Sequence, residues 1–76
     1  MSKLPALTGA ALVSVLMTIG FTIERQRGSH VFMKHPDGRA TVIPIHGKET
    51  IGPGLFSKIL RDADLSRNEF LDLIEK

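Results

Sequence analysis

The chain of 76 residues has no cysteine, no tryptophan and no tyrosine. Without cysteine, neither a disulfide nor a thiolate metal site can hold it together. Its stability must come from an apolar core, which at this size supplies about 3–5 kcal/mol net. The same absence fits a reducing, cytoplasmic setting. No charged residue falls between Leu4 and Ile23. An uncharged opening behind Lys3 has the look of a leader or a membrane span. However, Pro5, Thr8, Gly9, Ser14, Thr18 and Gly20 interrupt the run, and no small-x-small cleavage site follows. We therefore expect a folded segment and no membrane partner. The histidines His30, His35 and His46 have no carboxylate at ligand spacing, so neither a metal nor a cofactor is expected. Gly52-Pro53-Gly54 lacks the lysine-serine pattern of a phosphate-cradling loop. With no repeat, linker or low-complexity stretch, residues 1–76 are expected to form one domain.

Apolar residues make up 42% of the chain, enough for a core. Charge is unevenly spread. Residues 21–60 carry Arg25, Arg27, Lys34, Arg39, Lys48 and Lys58 against Glu24, Asp37 and Glu49. Residues 61–76 carry five carboxylates against Arg61, Arg67 and Lys76. A basic middle suits a phosphate-bearing partner, and an acidic tail suits a solvated face.

The periodicities predict six elements. Residues 8–19 read as a helix with Thr8 as N-cap and a stripe of Leu12, Val15, Leu16 and Ile19. Val13 and Met17 lie beside that stripe, as extra core or as a contact surface. Gly20-Phe21 reads as the helix stop. Strands follow at 21–27, with Phe21 and Ile23 on a buried face, at 29–35 and at 39–46. Within them Val31 and Met33 should oppose His30, Phe32 and Lys34, and Ile43 and Ile45 should oppose Val42, Pro44 and His46. Gly28-Ser29 and His35-Pro36-Asp37-Gly38 are the turns. Pro53 opens a second helix with an apolar face of Leu55, Phe56, Ile59, Leu60 and Ala63, and Asp64 is its left-handed stop. Ser66 to Glu69 is a capping box for a short third helix, with Leu65 and Phe70 as its staple. The fold class is α+β: a three-stranded antiparallel sheet with helices on one face and the other face open.

The stretch Arg25-Gln26-Arg27-Gly28-Ser29-His30 concentrates the chemistry. It sets an imidazole, which titrates near neutral pH, beside a cation-edged turn. Judged by residue type alone, His30 is more often an ordinary strand-end histidine, and Arg25 and Arg27 a solvated strand face. His46 can equally cap a turn, His35 reads as structural in its hairpin, and Arg39 can pair with Asp37.

Taken in order, Gly20-Phe21, Arg25 to His30, His35 to Arg39, Pro44-x-His46-Gly47, Pro53-Gly54-x-x-x-Lys58-Ile59-Leu60 and Leu65-Ser66 resemble the HicA (YcfA-like) family. These are mRNA interferase toxins of bacterial HicA/HicB toxin–antitoxin systems. The likeness runs from about Leu7 to Ile74. It implies a fold similar to double-stranded-RNA-binding domains and metal-independent cleavage of mRNA. It also implies catalysis by His30 on the Gly28-Ser29 turn and neutralisation by a HicB-like antitoxin. Arg25, Arg27, Lys34, Arg39 and Lys48 are then the candidates for holding RNA, and His46 the candidate second acid or base. The chain departs from the family pattern in having Val31-Phe32 after the histidine, Asp64 in place of a glycine, and an uncharged first helix. These departures keep two alternatives open: a non-catalytic RNA-binding module of the same fold, and a protein-interaction domain using the apolar first helix.

Overall fold

The computed structural model describes residues 6–75; Lys3, and Leu4 and Pro5 of the uncharged opening, lie outside them. The order is α1 (Gly9–Met17), β1 (Thr22–Arg27), β2 (His30–Lys34), β3 (Ala40–Pro44), α2 (Pro53–Asp62) and α3 (Arg67–Ile74). The three strands form one antiparallel sheet in the order β1-β2-β3. The fold is α+β, with the helices on one side of the sheet, as the sequence predicts. No helix among the described residues is long and apolar enough to cross a membrane.

Local chemistry sets the helix ends where the side chains imply. Thr8 caps α1, its hydroxyl accepting from the Ala11 amide at 3.1 Å. At the other end the Phe21 amide reaches Leu16 O and the Gly20 amide reaches Met17 O, with Gly20 at φ +102°. That double bond is the Schellman closure. The capping box at α3 is complete: the Ser66 hydroxyl accepts from the Glu69 amide at 3.0 Å, and the Glu69 carboxylate accepts from the Ser66 amide at 2.8 Å. That amide holds the Glu69 carboxyl below its usual range. Asp64 takes the left-handed turn after α2 at φ 56°.

The core joins Leu12, Val13 and Leu16 of α1, Val31 and Met33 of β2, and Ile43 of β3 to Phe56, Ile59 and Leu60 of α2 and Phe70 of α3. Phe56 and Phe70 meet edge to face at 5.1 Å. A Cβ on Gly9 would collide with the Pro44 carbonyl oxygen, so this glycine lets α1 lie directly on β3. Two apolar placements are corrected: Ile23 is 47% exposed and Leu55 37%. Of the two residues left open beside the α1 stripe, Val13 is core and Met17 is 50% exposed. Ile23 belongs to β1, an edge strand with every residue exposed, because the helices pack on β3 and over the buried Val31 and Met33 of β2. Leu55 is in the first turn of α2, before its buried face begins.

Two contacts pin the β2–β3 turn to the helices. The His35 ring sits edge-on to Phe21 at 5.1 Å, and its Nε2 lies 3.0 Å from Ile19 O at the end of α1. Its Nδ1 accepts from the Asp37 amide at 3.1 Å. Nδ1 also lies 3.0 Å from Asp37 Oδ1, so the turn holds the ring at one nitrogen and the end of α1 holds it at the other. The Arg39 guanidinium bonds Asp37 Oδ2 at 2.8 Å and the Ala63 carbonyl at the end of α2, lying over the Phe21 ring. The Arg39 amide, more than its side chain, holds the Asp37 carboxyl below its ordinary value.

Candidate active site on the open sheet face

The site depends on one irregularity in β1. Ile23 pairs with Met33, but Arg25 pairs with Phe32, which leaves Glu24 as an extra residue without a cross-strand partner. This is a β-bulge. Strict alternation from Ile23 would turn Arg25 and Arg27 to the helix-covered face. The extra residue turns both to the open face instead. Arg25 then stands opposite Phe32, and Arg27 opposite His30. The Arg25 guanidinium carbon lies 4.7 Å from the Phe32 ring centroid, a cation–π contact.

His30 opens β2 directly after the hairpin turn. Gly28 has φ +57°, whereas Ser29 keeps the negative φ usual for an L-residue. Positive φ at the first central position alone is the type II′ pattern, which matches strand twist. The Gln26 side chain donates to the Gly28 carbonyl at 3.1 Å and braces the turn. Across the sheet His30 faces Pro44. The Ile45 amide donates to Ser29 O at 2.6 Å, so His30 and Pro44 form a non-hydrogen-bonded pair, in which side chains approach most closely. The Pro44 nitrogen consequently faces away from β2, at the sheet edge. The His30 ring is exposed.

The other candidates divide. Lys34 shares the open face, opposite Thr22 and Ala40. It stands four residues from His30, about 13 Å along the strand. Lys48 is exposed in the turn after β3 and outside the sheet. His46 is also exposed there, its carbonyl accepting from the Glu49 amide at 3.0 Å. Continuing the β2–β3 register past Pro44 sets it opposite Gly28 rather than His30. Arg39 is revised more firmly: its guanidinium is bound on the helix side, so it is a structural latch and not part of the open face. Among the described residues no three histidines or carboxylates converge as metal donors.

Two features were not read from the sequence. One is the bulge, since Glu24 differs in no visible way from a regular strand residue. The other is a helix-side cluster in which Asp62 accepts from Lys58 Nζ at 2.8 Å and from the Thr41 hydroxyl at 3.0 Å. The Lys58 bond is the larger cause holding the Asp62 carboxyl below its usual value, with Thr41 next. The Lys58-x-x-x-Asp62 spacing was the one sequence signal available for this helical pair, and it went unused.

Arg25, Arg27, Lys34 and His30 thus share an uncovered surface built by β1 and β2. Comparison with known families matches residues 9–65 to the model described as "HicA toxin of bacterial toxin-antitoxin". No curated protein matches the chain.

Proposed function

Because the chain belongs to the HicA family of toxins from bacterial toxin–antitoxin systems, we propose that it is an endoribonuclease that cleaves mRNA without a metal, with His30 as general base. One observation supports this reading above the rest. The bulge at Glu24 turns Arg25 and Arg27 onto the open face that carries His30.

RNA supplies its own nucleophile. His30 takes the proton from a ribose 2′-hydroxyl, the oxygen attacks the adjacent phosphorus, and the 5′-oxygen leaves with a proton. The products are a 2′,3′-cyclic phosphate and a free 5′-hydroxyl. Arg27, directly opposite His30, is the cation best placed to meet charge growing on the phosphorane. Lys34, farther along the strand, holds a phosphate other than the one cleaved. His46 and Lys48 complete the rim beyond the turn, with His46 the candidate for protonating the leaving oxygen. A HicB-like antitoxin neutralises the toxin in the cytoplasm by covering this same face, which excludes RNA.

The test is cleavage of an mRNA by purified protein in excess EDTA. A His30→Ala variant is expected to lose about 10²- to 10⁴-fold in rate, the usual worth of a general base. Undiminished cleavage by His30→Ala would refute the assignment of the base. If neither protein cleaves but both bind RNA with strong salt dependence, the chain is a binding module of this fold.

A further inference from the structure

We propose that Phe32, with the Arg25 guanidinium laid over its ring, is a stacking platform for one unpaired base of a single-stranded RNA, next to the bond being cut. The inference rests on reading the open face as the RNA-binding face, and it adds the form in which the RNA is taken.

Phe32 is half-buried on the open side of β2, between Arg25 on β1 and Val42 on β3. An aromatic ring on an uncovered strand face needs an explanation, because the core lies on the other side. Arg25 covers the ring at 4.7 Å. Both residues reach solvent, Arg25 exposed and Phe32 half-buried, so a nucleobase joins the pair by the same π contacts. His30 lies two residues away on the same strand face, about 7 Å along it, comparable with the reach of one extended nucleotide. The charge of the surface agrees: Arg25, Arg27 and Lys34 all stand on this face.

The geometry also discriminates between forms of RNA. A paired base keeps both its faces inside the helical stack, and an A-form duplex offers a protein only phosphates, 2′-hydroxyls and groove edges. Phe32 and Arg25 can use none of those as a stacking partner. An unpaired base offers a whole face. The occupant is therefore a single strand, although the fold is of the kind that resembles duplex binders.

The chain has no tryptophan, so Phe32→Trp places a unique fluorophore at the platform. In a His30→Ala background, which leaves the RNA intact, an unpaired oligoribonucleotide should quench that indole. A blunt duplex of the same sequence should not. Phe32→Leu keeps the apolar bulk and removes the ring, and should weaken single-strand binding about 5- to 150-fold. It should leave the slope of log affinity against log salt unchanged, since no ionic contact is lost. Phe32→Tyr keeps the ring and should bind within twofold of the parent. Binding without quenching, Phe32→Leu binding as tightly as the parent, or no single-strand binding at low salt would each overturn the platform. Cleavage assays with His30 intact separate the two readings. Cleavage without quenching removes the platform and leaves the ribonuclease, and quenching without cleavage does the reverse.

Discussion

Replacing Gly20 with alanine should destabilise the protein through a contact that another substitution can relieve. Gly20 has φ +102°, and a Cβ there would lie 2.8 Å from His35 Nε2 and 3.2 Å from its Cδ2. An L-residue at positive φ costs about 1–2 kcal/mol. The displaced ring also loses its hydrogen bond to Ile19 O, worth about 0.5–1.5 kcal/mol. Alanine restricts the unfolded chain, which offsets about 0.4–1 kcal/mol. The net expectation is a loss of about 0.5–3 kcal/mol, or roughly 2–24 °C in Tm for a domain of this size. Urea unfolding followed by far-UV circular dichroism measures it, because no tryptophan or tyrosine reports on the fold. In a His35→Ala background the clash is gone and only the backbone contribution remains. Gly20→Ala should then cost about 1 kcal/mol less than in the parent, a coupling that a double-mutant cycle reads directly. An equal cost in both backgrounds would refute the assignment of His35 as the pin between α1 and the β2–β3 turn.

Deleting Glu24 should leave the fold and the RNA-facing side chains in place, because the residue has no cross-strand partner and Arg25 already stands opposite Phe32. Deleting Gln26 instead moves Arg25 opposite Val31 and brings Glu24 opposite Phe32. RNA binding should then fall on the order of tenfold or more, because a carboxylate replaces a guanidinium beside phosphate; equal binding by the two deletion variants would count against the bulge. The lowered pKa of Asp62 gives a pH dependence of definite sign. Its contribution is complete at neutral pH and fades as pH falls through the lowered pKa, below about pH 4. Asp62 is 27% exposed and Lys58 58%, so solvent limits the effect to under about 1 kcal/mol. Asp62→Asn should show a smaller loss of urea midpoint between pH 6 and pH 3 than the parent, and an equal loss would remove the cluster from the acid response.

The helix boundaries were legible because they are made by near neighbours. Thr8, Gly20, Asp64 and the Ser66–Glu69 box each satisfy backbone groups within four or five residues, so the residue types state the local geometry. Strand alternation was legible in β2 and β3, which have one face under the helices; Val31, Met33 and Ile43 are buried as the period of two requires. It failed in β1, where no helix lies over the strand and burial does not enforce the period. Ile23 is exposed there, and the bulge passes without an apolar residue to mark it. The place of Arg39 on the helix side was hidden for a different reason. Its charge is visible in the sequence, but the Ala63 carbonyl that holds it is twenty-four residues away.

By itself, the sequence determined the caps, the two hairpin turns, the apolar halves of β2 and β3, and the place of His30 after the Gly28-Ser29 turn. All of these follow from φ preferences and periodicities that act over a few residues. Tertiary structure decided which cations share a face with His30. That choice depends on how β1 registers against β2, and one unpaired residue reverses the direction of every side chain beyond it. Only the paired sheet shows that Arg25 and Arg27 turn to the open face while Arg39 turns to the helices.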